Sequence, residues 1–103
     1  MLLDYGFTSE QLVGIYEFLQ FVKEVNSSIK SNSKIDGLEY FVDNNKNFYA
    51  SYCYSDYTSG NLQTELKYVS INPFGGKIDL NTIYNNTEDI VRKLSRYQKI
   101  SLA

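Results

Sequence analysis

Asp56, Glu65 and Lys67 are the side chains whose types and spacing come closest to a reactive set. Two carboxylates and an amine brought together can hold a divalent cation and support an attacking water. The rest of the catalytic repertoire is thin. The chain has no His and a single cysteine, Cys53. Without them there is no imidazole acid–base catalysis, no Ser–His or Cys–His nucleophile, no internal disulfide and little prospect of a zinc site. No cation neighbours Cys53 in sequence to lower its thiol pKa. The run Asn72-Pro73-Phe74-Gly75-Gly76-Lys77 lacks GxxxxGK spacing, and no Ser or Thr follows Lys77 to hold a metal ion; it reads as a turn. The expectation is no catalytic residue, no cofactor and no metal.

Composition narrows the classes further. Hydrophobic residues make up 43% and charged residues 21% of 103 residues, which suits one folded domain over residues 1–103 and argues against disorder. A net charge of −2 gives no electrostatic reason to expect direct binding of nucleic acid. The first residues lack the basic and long apolar regions of a secretory signal, and no apolar stretch approaches the roughly 20 residues of a membrane span. The expectation is a cytoplasmic protein without a membrane segment.

The elements that would position any site are legible from periodicity. Thr8 and Gln11 form a capping box, with Phe7 and Leu12 as a hydrophobic staple. Leu12, Ile15, Tyr16, Leu19, Val22, Val25 and Ile29 follow at helical spacing, widened by Phe18 and Phe21 to a stripe of about 220°. Polar residues from Ser27 end this helix, and Asp36-Gly37 reads as a turn. Three strands follow: Leu38–Asp43, Phe48–Tyr57 and about Leu62–Ile71, separated by turns at Asn44–Lys46 and Thr58–Gly60. Leu80, Ile83, Tyr84, Ile90, Val91, Leu94 and Tyr97 then resume helical spacing. Asp79 and Thr87 are candidate N-caps, with a break at Asn85-Asn86. Ile100-Ser101-Leu102 is too short to assign. The fold class is α+β: a long N-terminal helix, a three-stranded antiparallel meander and a C-terminal helix, in the order αβββα.

Parity along the strands assigns the two faces of the sheet. With three-residue loops, Leu38, Tyr40, Val42, Phe48, Ala50, Tyr52, Tyr54, Leu62, Leu66 and Tyr68 turn toward the helices. The opposite face carries Glu39, Phe41, Tyr49, Cys53, Tyr57, Glu65, Lys67, Val69 and Ile71, and Asp56 falls on the face opposite Glu65. With both helices on one side, this second face is expected to be uncovered. Phe41, Tyr49 and Val69 form a cross-strand row there, with Tyr57 at its margin and Glu39 and Glu65 among them. Aromatic residues on a flat surface supply contact area at low entropy cost. Phe41, Tyr49, Tyr57, Val69, Glu39 and Glu65 are therefore the expected partner-binding set, for another protein or a second copy.

Three resemblances bear on function. Asp56 with Glu65-Leu66-Lys67 in an αβββα chain resembles the PD-(D/E)xK nucleases. This implies metal ligation by Asp56 and Glu65, a catalytic Lys67, and a helix-borne acid at Glu17 or Glu24. The element order also resembles the double-stranded-RNA-binding domain, which implies phosphate contacts from Lys93, Arg96 and Lys99. In size, acidity and order the chain is similar to some anti-CRISPR proteins. That similarity implies a phage or mobile-element inhibitor whose Glu10, Glu17, Glu24, Glu39 and Glu65 contact a nucleic-acid-binding host protein. The reading adopted from the residues is a non-enzymatic protein-binding module.

Overall fold

The computed structural model describes residues 5–28, 32–58 and 60–102. Helix α1 (Ser9–Ser27) starts where the capping box lies: Thr8 accepts from the Gln11 amide, and the Gln11 side chain accepts from the Thr8 amide. The Thr8 hydroxyl also donates to the Pro73 carbonyl, so the cap is tied to a distant turn. Gln11, Ile15, Phe18 and Val22 form the buried row of α1, at spacings of four, three and four. Tyr16 and Phe21, expected within the stripe, are 59% and 41% exposed. Ile29 lies outside the described residues.

The sheet has five strands, β1 (Ser33–Val42), β2 (Phe48–Thr58), β3 (Asn61–Ile71), β4 (Lys77–Asp79) and β5 (Gln98–Ile100), in the order β4-β3-β2-β1-β5. The three-stranded meander is its centre. The two added strands contain three residues each and pair only with Val69–Ile71 and Tyr40–Val42. Asp36-Gly37 is a β-bulge inside a longer β1, not a turn before it: the register with β2 shifts between Asp36 and Glu39. Gly37 supplies the positive φ of 64° that such a bulge uses.

Strands β2 and β3 are joined by a two-residue loop, with Thr58 opposite Asn61. The expected loop was one residue longer, and a one-residue slip turns every β3 side chain to the other face. Val69 and Ile71 therefore lie under α1, in a core with Ile15, Phe18, Val42, Phe48 and Ala50. Tyr68, Leu66 and Leu62 point the opposite way, and Asp56, Glu65 and Lys67 come to the α1 side together.

The face opposite α1 is not bare. The C-terminal segment is broken as expected, into α2 (Leu80–Ile83), capped by Asp79, and α3 (Thr87–Leu94), whose N-cap is Asn86 instead of Thr87. Leu80, Ile90 and Leu94 cover Tyr49 and Tyr68 to form a second core, with Phe41, Tyr84 and Tyr97 against it. The molecule is three layers: α1, sheet, and α2 with α3.

Candidate functional site

Placement of the expected partner-binding residues follows from that layering. Tyr49 and Val69 are 5% and 6% exposed, on opposite faces, each beneath a helix. They cannot form an accessible row. Phe41 is half-buried against α3. Glu39 is ion-paired with Lys99 at 3.2 Å and Glu65 with Lys67 at 3.0 Å. Of the aromatics in that set, Tyr57 alone stays open, at 51% exposure.

Tyr49 is instead part of a polar anchor. Its hydroxyl donates to Asp43 Oδ2 at 2.8 Å, and its ring stacks on Tyr97 with centroids 4.8 Å apart. Asp43 also accepts from the backbone amides of Asn45 and Asn47 and from Asn47 Nδ2. Burial pushes the Asp43 carboxyl upward, but the hydrogen bonds from Asn47, Tyr49 and Asn45 outweigh it and hold the group below its ordinary value. Burial, followed by the bond to Asp43, raises the Tyr49 hydroxyl well above the ordinary phenol range. With all four acceptor positions taken, Asp43 locks the β1–β2 turn, and the cavity of about 460 Å³ beside it is lined by Tyr5, Lys46, Arg96, Tyr97 and others.

The acid and lysine set lies along the α1 face of β2 and β3. Asp56 and Glu65 share a face, contrary to the sequence expectation, yet no three His, Cys, Asp or Glu residues converge among the described residues. Asp56 accepts from the Ser33 hydroxyl at 3.4 Å. Lys67 is held protonated mainly by its bond to Glu65, which raises its pKa. Lys93, named with Arg96 and Lys99 as a phosphate contact, donates to the Tyr84 hydroxyl at 2.7 Å, and Lys99 is committed to Glu39.

What stays open is the far half of the α3-side face. Eight helical residues span about 12 Å, whereas the eleven-residue β2 and β3 span about 36 Å. Helix α3 therefore covers only one end of the hairpin. Beyond it Leu66 and Leu62 are 41% and 64% exposed, Tyr57 lies directly opposite Leu62, and Val91 of α3 is 51% exposed at the boundary. A groove of about 500 Å³ runs between α3 and the strands, lined by Phe41, Cys53, Leu66, Tyr68, Val91 and Leu94 among others. Leu62, Leu66 and Val91 were missed in the sequence because the assumed loop length placed the two leucines in the core. No family model, curated protein or solved structure compared with this chain matches it.

Two asparagines finish the sheet edges, one on each side of the hairpin. The Asn26 amide bonds both backbone groups of Ile35 on β1, at 2.8 and 2.9 Å. Asn81 takes the place of a neighbouring strand on β3: it accepts from the Tyr68 amide at 2.7 Å and donates to the Leu66 carbonyl at 3.0 Å.

Proposed function

We propose that the protein is a non-enzymatic binding module that docks an apolar surface of a partner protein on the uncovered end of its β2–β3 hairpin. The observation that carries this reading is the run of exposed Tyr57, Leu62, Leu66 and Val91 beside the groove. Four large apolar side chains this open on one face, set around the hydroxyl pair of Ser55 and Thr64, are the kind of surface that marks an interaction site. An aromatic with aliphatic neighbours around a partly desolvated groove is the composition that binding surfaces favour. The acidic version of the reading has weaker support, because Glu39 and Glu65 are already paired and Glu10, Glu17 and Glu24 lie on another element. Inhibition of a host protein is one use such a module would serve, and its partner would then be that protein.

Photocrosslinking tests the surface directly. A photoreactive residue at position 62 should give adducts in the source cell, and one at the exposed Glu17 of α1 should not. Adducts of equal yield at both positions, or none at position 62, would reject this surface.

A further inference from the structure

The edge of β3 is paired with β4 only at Val69–Ile71 and is closed by Asn81 at Leu66 and Tyr68. Strand alternation sends the amides and carbonyls of Leu62, Thr64, Leu66 and Tyr68 outward, because Asn81 reaches Leu66 and Tyr68 from the side away from β2. Among the described residues, no strand lies beside Leu62 and Thr64. An open edge of this kind is a template for another strand. Its protection is incomplete: residues 61 to 64 are Asn, Leu, Gln and Thr, with no charge and no proline.

We infer that this edge pairs antiparallel with the same edge of a second copy, about a two-fold axis beside Gln63. The inference rests on the binding surface proposed above and names its occupant. Asn81 sets the register. By occupying the Leu66 carbonyl it leaves Leu62 and Thr64 as the edge residues whose outward backbone groups meet no partner among the described residues. Each can bond its counterpart only if Leu62 meets Thr64 of the other copy and Gln63 meets Gln63. That register forms four backbone hydrogen bonds. It places Asn61 against Glu65, so no like charges face each other directly, and the carboxylate of Glu65 already carries Lys67 at 3.0 Å. On the α3 side it sets Leu62 beside Thr64 of the other copy and diagonal to that copy's Leu62 and Leu66, with Tyr57 next to Leu62 in each chain. An isologous contact of this type closes on itself and does not propagate into a filament.

The purified full chain should pass from one to two chains in light-scattering mass between about 10 μM and about 1 mM. Leu62→Lys should raise the dissociation constant at least about tenfold. In a Cys53→Ser background, Gln63→Cys should oxidise to a disulfide-linked dimer. A non-hydrogen-bonded antiparallel pair sets the two Cα atoms about 4.5 Å apart, within disulfide reach. Glu17→Cys in the same background should not. A one-chain mass throughout, with no preference for the position 63 crosslink, overturns the second-copy assignment. In that event, adducts from position 62 to a different protein would leave the binding surface standing, whereas their absence would remove both.

Discussion

Replacing Gln11 by Ala tests how the layers are fastened together. The side chain is fully buried; its Nε2 donates to the Lys46 carbonyl at 2.7 Å and the Ile71 carbonyl at 2.8 Å. One amide thus joins the start of α1 to the β1–β2 turn and to the end of β3. Truncation strands two carbonyls. The one at Ile71 is buried and should cost about 2 kcal/mol, and the one at Lys46, closer to water, about 1 kcal/mol. Lost packing adds about 1 kcal/mol, for a total near 3–4 kcal/mol. Stabilities of about 5–15 kcal/mol are usual for small domains, so this is a large fraction. Urea unfolding by far-UV circular dichroism at pH 7 would measure it, with the exposed Gln20→Ala as a control expected within about 0.5 kcal/mol. Gln11→Glu adds a sign test. A carboxyl facing two carbonyls has a raised folded pKa, so its stability is present below the unfolded value, near 4.3, and is lost as pH rises through the folded value. That variant should lie nearer to wild type at about pH 4 than at pH 7. A Gln11→Ala cost below about 1 kcal/mol, or a Gln11→Glu variant less impaired at pH 7 than at pH 4, would refute the reasoning.

Two further predictions concern the opposite core and the helix stripe. Asp43 has a lowered folded pKa, so it contributes stability above its ordinary value of 3.8, and that contribution is lost as pH falls through the folded value. Tyr49→Phe should cost about 1.5 kcal/mol at pH 7 and distinctly less at pH 2, by denaturant midpoints; an equal cost at both pH values would dissociate Asp43 from the effect. Phe18→Ala should destabilise by about 3–5 kcal/mol and Tyr16→Ala by less than about 1 kcal/mol, because Phe18 is 1% and Tyr16 59% exposed. Similar thermal shifts for the two would contradict the buried row of α1.

The helix cap, β2, β3, the second half of β1 and the break before α3 were legible because each has a local cause. Thr8 and Gln11 specify a cap within four residues, and alternation over eleven residues specifies a strand. The faces of β3 were not, since they hang on whether the hairpin loop has two residues or three. A clue was present in Tyr68-Val69-Ser70-Ile71, where all four residues are buried. A strand hidden on both faces reads as a nearly continuous apolar run, and this one implied a second covering layer. The strands β4 and β5 leave no such trace. Three residues are too few to show a period, and their pairing is decided by where α1, α2 and α3 bring the chain. The candidate surface was misplaced for the same reason: Leu62 and Leu66 look like core residues until the register is known.

The sheet is five strands wide at one end and three at the other, since β4 and β5 reach only the last residues of β3 and β1. Amide hydrogen exchange should therefore divide the molecule into two cooperative units. Amides of Tyr40–Val42, Phe48–Ala50 and Val69–Ile71, enclosed between helices, should open only with global unfolding. Amides of β2 and β3 toward Gly60 should exchange through local fraying at much lower free energy. The apolar residues exposed on this fraying end would gain order on contact with a partner, so binding would register as protection spreading outward along the hairpin.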